Sequence, residues 1–408
     1  MEETAEQLKQ LVEQGEVMAQ KYWVTVTNPP YAGMSKMNAK LNSFVQDNYA
    51  DYKSDMFSAF VVKCSTMTRT NGYCAFLTPY VWMFIQSYEK MRNYLYANTT
   101  IETLIQFEYS AFEEATVPIC TFAFRKGYIA KKGCYLRLTD FRGGMEVQRQ
   151  KTLEAINNHN CGYYFEQYSD NFAKIPGSPV AYWVSEKFTN MYKQTSIAQI
   201  ATTREGMTTA DNDQFVRLWE EVNSEHIAFG CTTSFEAQKT NRRWFPYAKG
   251  GDFRKWYGNS WYVVDWQDDG WRIRNFKDEK TGRIRSHNYN LEYIFRECLS
   301  WTRVTSGNFC IRYYPKGYLC DTAGAGLFVE KDRMFLLGWL STNIVNQMLQ
   351  IQNPTIVVQA GDVARIPVPE KKNNKQDIEN LVEDNISISK EDWDSFETSW
   401  DFKVHPLV

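Results

Sequence analysis

Apolar residues recur at roughly helical spacing near the start of the chain and then give way to a strand-like run. Residues 4–20 carry several apolar side chains, including Leu8, Leu11 and Met18, at intervals suited to one face of a helix. Residues 22–27 read Tyr-Trp-Val-Thr-Val-Thr, in which β-branched and aromatic side chains dominate. The pattern predicts a helix that leads directly into a short strand.

Helix-like and strand-like segments continue to alternate along the first third of the chain. The patterns predict helices over about 55–70 and 82–96, and strands over about 73–78, 101–107 and 117–124. Strands that alternate with helices favour a mostly parallel sheet covered on both faces, ending here in a pair able to run antiparallel. The sequence therefore predicts an α/β fold for this block.

The alternation weakens after residue 150, where the stretch Ile-Pro-Gly-Ser-Pro at 175–179 is typical of a connection between domains. Beyond it Trp, Tyr, Arg and Gly are frequent, with strand-like pieces at 261–266 and 309–314 and a helical pattern at 333–351. This composition indicates a mixed α/β domain with recognition loops. We predict four segments, namely the α/β block at 1–150, a connection at 151–200, the mixed domain at 201–370, and an acidic tail or the start of a further helical region at 371–408.

The overall composition is that of a globular protein. Hydrophobic residues make up 43% of the 408 positions, and no stretch approaches the roughly 18 consecutive apolar residues of a membrane span. The acidic start Met-Glu-Glu is unlike a signal peptide. The nine cysteines form no CxxC pair and the four histidines lie far apart, which argues against a disulfide framework or a metal site. We expect a cytoplasmic protein with reduced thiols and no metal.

Charge is distributed unevenly although the formal net charge is only −2. Residues 239–316 contain sixteen Lys or Arg against eight Asp or Glu, whereas residues 371–408 contain five against nine. A basic middle and an acidic end is the asymmetry expected when one region faces phosphates. Chance clustering on a solvated surface explains the same counts equally well, so the charge pattern alone leaves both interpretations open.

The most specific motif is Asn28-Pro29-Pro30-Tyr31, placed directly after the first predicted strand. The Asn28 side-chain oxygen and the Pro29 carbonyl can each accept a hydrogen bond from the two hydrogens of an exocyclic amine, which turns the nitrogen lone pair toward an incoming methyl group. Two consecutive prolines stiffen the loop, and the Tyr31 ring offers a face on which a flipped base can stack. The alternative is a proline-rich turn that only ends the strand.

The motif and several longer segments resemble one known family. Asn-Pro-Pro-Tyr is the catalytic motif of class I amino-methyltransferases, and its surroundings resemble the adenine-specific DNA N6-methyltransferases of BREX phage-resistance systems and the related type IIG restriction–modification enzymes. The similarity extends from about residue 20 to residue 370. It is carried by Val26–Met34, Met37–Lys40, Leu77–Phe84, Ser87–Arg92, Ala115–Thr121, Thr209–Phe215, Lys249–Tyr257 and Gly361–Val368.

The resemblance implies roles for particular residues. It implies a partial class I (Rossmann-like) methyltransferase sheet followed by a mixed α/β target-recognition domain, with S-adenosyl-L-methionine as methyl donor and double-stranded DNA as partner. Phe112 matches the family's phenylalanine that packs against the flipped adenine beside Tyr31, although a plain core position is the alternative. The basic block supplies the candidate DNA contacts, which are Lys249, Arg254, Lys255, Arg272, Arg274, Arg283, Arg285 and Arg303.

Only 27 residues precede Asn28, whereas family members place their donor-binding strands before the motif. The later stretch Gly324–Gly326 lacks the strand–turn–helix context of a donor site. We therefore expect the donor-binding part to come from an N-terminal methyltransferase fragment or another defence-system subunit, which would pair with an otherwise open edge at residues 22–27. The alternatives are a DNA-binding module or degenerate fragment without catalysis and, less favoured because of the long basic region, a protein-glutamine or ribosomal-RNA methyltransferase.

Overall fold

A six-stranded mixed sheet organises the first part of the chain. The computed structural model describes residues 2–109, 111, 117–353, 355–370 and 374–408, and the chain divides into two compact units, Met1–Asn190 and Met191–Val408. The strands of the first unit are β1 (Tyr22–Thr27), β2 (Thr68–Pro79), β3 (Thr99–Gln106), β4 (Ile119–Lys126), β5 (Gly133–Arg137) and β6 (Tyr164–Gln167). Its helices are α1 (Glu2–Ala19), α2 (Ala39–Asn48), α3 (Met56–Met67), α4 (Glu89–Asn98) and α5 (Gly144–Asn157), and α6 (Glu186–Met191) lies at the boundary.

The order of strands in this sheet is β1-β2-β4-β3-β5-β6. Strand β1 runs parallel to β2, and β3 runs parallel to β5, while β4 is antiparallel to both β2 and β3. The four strands β1, β2, β3 and β5 therefore point the same way and end at one edge of the sheet. The predicted α/β class and the predicted antiparallel pair near its end are confirmed.

The core of the first unit lies between the sheet and helices α3 and α4. Phe76, Phe122 and Phe124 stack in series on one face of β2 and β4, with centroid distances of 5.4 Å and 5.8 Å from Phe76 to the other two rings. Trp82 is fully buried against Phe122, with 4.8 Å between ring centroids. This apolar packing holds β2 and β4 rigidly, and β2 is in turn the strand to which β1 pairs.

The second unit contains two four-stranded sheets, ordered β13-β9-β10-β8 and β12-β11-β14-β7. Its strands are β7 (Thr202–Arg204), β8 (Val216–Leu218), β9 (Trp244–Ala248), β10 (Tyr262–Asp265), β11 (Cys298–Thr302), β12 (Ile311–Tyr314), β13 (Leu319–Cys320) and β14 (Gly324–Phe328). Its helices are α7 (Ile197–Ile200), α8 (Asn212–Phe215), α9 (Ser234–Lys239), α10 (Gln267–Arg274), α11 (Arg333–Leu340), α12 (Asn343–Gln352), α13 (Ala360–Ala364) and α14 (Lys375–Asp394). In the described part of the chain, no helix is both long and apolar enough to cross a membrane.

Two features differ from the sequence pattern, and a third, in the tail, takes the helical form that was one of the two predicted alternatives. The helix expected over 333–351 is two helices, because Thr342 accepts a hydrogen bond from the Val345 amide and starts α12 afresh. Residues in the predicted connection contribute β6, which pairs with β5, so the compact unit extends to Asn190. The acidic tail forms α14, whose Trp393 is buried with its ring 5.0 Å from that of Trp261.

A buried arginine ties α4 to the end of the first unit. Arg92 is fully buried and donates hydrogen bonds to three backbone carbonyls: Trp82 at 2.6 Å, Ile85 at 2.8 Å and Gly177 at 2.6 Å. Burial lowers the pKa of the Arg92 guanidinium from its ordinary value. The cost of burying this charge is offset because the planar guanidinium satisfies the carbonyls of Trp82 and Gly177, which have no other donor among the described residues.

Replacing Arg92 with methionine should destabilise the first unit strongly. In Arg92→Met the side chain keeps its apolar volume but leaves the Trp82 and Gly177 carbonyls without their donor, which costs about 2 kcal/mol or more in the free energy of unfolding. Urea denaturation followed by fluorescence measures the loss. Arg149→Met is the matched control, because Arg149 is exposed and pairs only with Glu146 on the same helix. Equal stability of the two variants would contradict the role assigned to Arg92.

Candidate functional site

The Asn-Pro-Pro-Tyr motif leaves the carboxyl end of β1 at the edge of the sheet where four strands end. Thr27 is the register partner of Phe76, so the motif begins beside Leu77 of β2. Asn28 is exposed and Pro29 is buried. The buried proline anchors the loop in the protein, while the amide of Asn28 remains accessible from solvent.

Tyr31 connects the motif to the neighbouring strand. Its hydroxyl lies 2.8 Å from Asn28 Oδ1 and 3.1 Å from the carbonyl oxygen of Leu77. The ring is half-buried and meets the ring of Phe57 edge-on, with 6.4 Å between centroids. Burial, and secondarily the nearby Cys120 thiol, raise the pKa of Tyr31, so the hydroxyl stays protonated and remains a donor at neutral pH. Tyr31 therefore fixes the position of Asn28 relative to β2.

Asp55 holds the chain that follows the motif. Its Oδ1 accepts hydrogen bonds from the Ala32 amide at 2.9 Å and from the Phe57 amide at 3.3 Å, where Asp55 caps α3. The Met56 amide donates in return to the Ala32 carbonyl at 3.0 Å. Because one carboxylate serves both the motif loop and the first turn of α3, the loop position is set by the helix.

The motif presents two acceptors that are suited to an amino group. Asn28 Oδ1 has two lone pairs, of which the Tyr31 hydroxyl uses at most one. In the described part of the chain, the Pro29 carbonyl accepts no hydrogen bond. Both oxygens therefore retain the capacity to accept an N–H hydrogen bond.

Sequence reasoning missed a second aromatic residue at this edge. Tyr80 follows the last residue of β2, and its amide donates to the Pro118 carbonyl at 3.0 Å. Burial raises the pKa of Tyr80, and the nearby Cys120 and Tyr109 raise it further. The sequence carries a signal for it, because Thr78-Pro-Tyr at the end of β2 repeats the Pro-Tyr ending of the motif that follows the parallel strand β1.

Two other predictions concern the base and the methyl donor. Phe112, expected to pack against the base, lies outside the described residues. Gly324–Gly326 is part of β14 in the second unit. A Cβ atom on Gly324 would lie only 2.4 Å from the Ala248 carbonyl oxygen, so this stretch is closely packed backbone with no room for a ligand. Residues 324–326 therefore do not fit S-adenosylmethionine.

Three of the predicted DNA contacts have partners inside the second unit. Lys249 is half-buried, its Nζ lies 3.9 Å from Asp321, and burial lowers its pKa. Arg254 pairs with Asp392 at 3.0 Å, and Lys255 Nζ donates to a backbone carbonyl at 2.8 Å. These internal contacts give all three cations a structural role.

Four of the other five predicted cations are exposed, and the fifth, Arg303, is partly buried. Arg272 pairs with Asp265 at the end of β10, and Arg274 pairs with Asp269 of α10. Arg303 lies 3.5 Å from Glu205. Arg283 and Arg285 are exposed on a short hairpin, in which the Asp278 amide donates to the Arg283 carbonyl at 2.9 Å. Sequence reasoning missed Arg243, which shares the carboxylate of Asp265 with Arg272.

Asp55 provides a test of how the motif loop is held. In Asp55→Ala the amides of Ala32 and Phe57 lose their acceptor, so the free energy of unfolding should fall by about 1–2 kcal/mol. Hydrogen exchange at the Ala32 amide should accelerate by at least the corresponding factor. Asp55→Asn is the matched control, because its side-chain oxygen remains as acceptor and burial disfavours the carboxylate. Protection of the Ala32 amide that is unchanged in Asp55→Ala would show that the loop is held by other contacts.

The chain is similar to several known proteins. The family model described as Eco57I restriction-modification methylase matches residues 1–112, which include the motif. The adenine-specific methyltransferase PglX of Lacticaseibacillus casei (strain Zhang) is 39% identical over 98% of this chain and 34% of its own length. The adenine-specific methyltransferase BrxX of Escherichia coli O9:H4 (strain HS) is 32% identical over 100% of this chain and 32% of its own length.

A solved structure shows the same fold. The type IIL restriction-modification enzyme MmeI, determined in complex with DNA, matches with a TM-score of 0.58 and 12% sequence identity over 94% of this chain and 52% of MmeI. The chain spans about a third of the length of the curated relatives it matches. The resemblance seen in the sequence is confirmed, and the chain belongs to the family of adenine-specific methyltransferases that includes PglX and BrxX.

Proposed function

We propose that this chain provides the target-base site of a site-specific DNA adenine N6-methyltransferase that acts in restriction–modification or phage defence. The observation that carries the proposal is the exposed Asn28 and the unengaged Pro29 carbonyl, which stand together where β1 ends. The carboxyl edge of parallel strands is where α/β folds bind their ligands. The names of the two relatives supply the substrate class, adenine.

The chemistry follows from the weakness of the adenine amino group as a nucleophile. Its lone pair is delocalised into the ring, so attack on a methyl group requires that the pair be localised on nitrogen. Asn28 Oδ1 and the Pro29 carbonyl accept one N6 hydrogen each, which holds the nitrogen in place and increases its electron density. The proton released after transfer passes to solvent at this exposed edge, because Asn28 is not a base.

Tyr31 positions this pair of acceptors and contributes a ring face to the flipped base. Its hydroxyl has two acceptors within reach, Asn28 Oδ1 and the Leu77 carbonyl, and only one proton to donate. A shift of that proton toward Leu77 frees Asn28 Oδ1 for the base. Phe112 is proposed as the second aromatic contact of the base.

Double-stranded DNA is the proposed partner of the second unit. The eight predicted cations remain the candidates, and four of them are exposed: Arg272, Arg274, Arg283 and Arg285. Lys249, Arg254 and Lys255 are proposed to support the surface through their internal contacts. Contacts of this kind to phosphate position a protein on DNA without reading its sequence.

S-adenosyl-L-methionine is the proposed methyl donor and supplies the methyl group when it is bound. Because the glycine stretch of β14 does not fit the donor, we assign no step through it and propose that a separate donor-binding segment completes the sheet. The open edge of β1 supports this proposal, since Val26 is 69% exposed and Trp23 is 59% exposed. An apolar strand edge of this kind is a template for pairing with another strand.

Asn28→Ala should abolish methyl transfer in an enzyme that contains this chain and the donor-binding part. Loss of one of the two acceptors should lower kcat by about 10²–10³-fold or more, while affinity for DNA changes little. Methyl transfer from labelled donor and DNA binding by fluorescence anisotropy measure the two effects. Asn157→Ala, at an exposed asparagine on α5, is the control. Equal transfer by Asn28→Ala would refute the role of Asn28, and a wild-type enzyme that binds DNA without transfer would favour the non-catalytic alternative.

The partner proposal has its own test at the strand edge. The chain alone should not bind S-adenosylmethionine tightly, and binding should appear when the donor-binding polypeptide is added. Val26→Lys places a charge on the pairing edge and should prevent this gain without lowering the melting temperature of the chain. Val404→Lys, at another exposed valine, should leave it intact. Tight donor binding by the isolated chain would overturn the proposal.

A further inference from the structure

Asp265 holds two arginines in place at one end of the β9–β10–β8 sheet. The residue is 1% exposed, and its Oδ2 accepts a hydrogen bond from Arg243 Nε at 2.9 Å and another from Arg272. The two arginine side chains remain 43% and 44% exposed. One carboxylate neutralises only one of two guanidinium charges, so a fixed positive charge remains at the surface.

Aromatic rings extend this arrangement to a third arginine, Arg217. The guanidinium groups of Arg243 and Arg217 lie 4.9 Å and 5.9 Å from the ring centroid of Trp244. On the other side, Arg272 lies over Phe215 at 5.7 Å. Two of these residues, Arg217 on β8 and Trp244 on β9, come from separate strands that both pair with β10.

The aromatic chain continues onto the hairpin that follows α10. Phe215 meets Phe276 edge-on at 5.2 Å between ring centroids, and Arg285 lies over Phe276 at 5.3 Å. The Arg285 amide donates to the Phe276 carbonyl at 2.9 Å, which fixes the hairpin register. We call the four cations Arg217, Arg243, Arg272 and Arg285 the arginine surface.

A left-handed turn brings Arg272 to this position. Asp268, Asp269 and Gly270 have φ values of 51°, 57° and 68°, a run that L-residues rarely adopt. A Cβ atom on Gly270 would lie 2.5 Å from the ring of the fully buried Trp266. Such unfavourable backbone is retained where the surrounding structure requires a particular side-chain placement.

We propose that the arginine surface is a preorganised site for the phosphate backbone of duplex DNA. The inference rests on the proposed function, because it names the part of the second unit that grips the substrate. The rings and Asp265 restrict the guanidinium groups before DNA arrives, so less rotamer freedom is lost on binding. Arg217 Nη1 donates to the carbonyls of Asp213 and Val216, and Asp278 lies close enough to Arg285 to interact with it. The remaining guanidinium N–H groups can donate to phosphate oxygens, and the four cations still outnumber the carboxylates of Asp265 and Asp278, which favours a polyanion.

The surface differs from the sequence-based set of cations in a way that can be measured. Arg217 and Arg243 were not predicted, and Arg254 and Lys255, which were, make internal contacts elsewhere in the unit. A purely structural ion-pair network would also bury Asp265 but would not contribute to DNA binding. A DNA-binding surface predicts a weaker salt dependence of DNA binding when Arg217 and Arg285, which make no ion pair with Asp265, are changed. A purely structural network predicts no change in that dependence.

The test measures binding of the purified chain to a random-sequence DNA duplex of a few helical turns over a series of salt concentrations. The double variant Arg217→Gln/Arg285→Gln leaves both ion pairs of Asp265 intact. Its slope of log affinity against log salt should be shallower than that of the wild type by about 2, which is about 1 for each lost phosphate contact. Arg142→Gln/Arg149→Gln removes the same charge from exposed positions of the first unit and should leave the slope unchanged.

Each outcome decides the proposal. Melting temperatures close to that of the wild type establish that both double variants are folded. An unchanged slope in Arg217→Gln/Arg285→Gln, or an equal reduction in Arg142→Gln/Arg149→Gln, overturns the arginine surface while leaving the proposed methylation site untouched. A wild-type chain that shows no salt-dependent affinity for duplex DNA overturns both this inference and the proposed role of the second unit.

Discussion

The parallel pairing of β1 with β2 is the constraint on which the candidate site depends. Because Thr27 lies opposite Phe76, the chain leaves β1 beside Leu77, and the Tyr31 hydroxyl reaches both the Leu77 carbonyl and the Asn28 amide. A slip of one residue would send every β1 side chain to the other face and separate these groups. The packed core beneath β2 thus fixes the position of the exposed Asn28 and of the buried Pro29 that follows it.

In the second unit too, buried groups fix the positions of side chains at the surface, and here those side chains are cations. The near-neutral net charge of −2 conceals cations that are held in defined positions by a single buried carboxylate and a series of aromatic rings. Asp265 is the centre of that arrangement, since it binds Arg243 and Arg272 together. Local organisation, more than total charge, is therefore what suits this surface to a polyanion.

The sequence predicts those parts of the fold and site that depend on neighbouring residues. The strand at 22–27 and the motif after it were predicted because a β-branched run followed by two prolines is a local signal. The break at Thr342 was missed because the apolar pattern runs through it, and only a hydroxyl cap separates α11 from α12. Contacts between distant positions, such as Asp265 with Arg243, leave no local pattern.

The central claim is that the end of β1 binds the amino group of adenine, and the side-chain amide of Asn28 reports it directly. Nuclear magnetic resonance of the chain labelled at asparagine, with the Asn28 signal assigned through Asn28→Asp, should show a saturable shift when adenosine is added. N6,N6-dimethyladenosine has the same ring but no amino hydrogens, so it should produce no such shift. Equal shifts with both nucleosides, or no shift with either, would contradict the account.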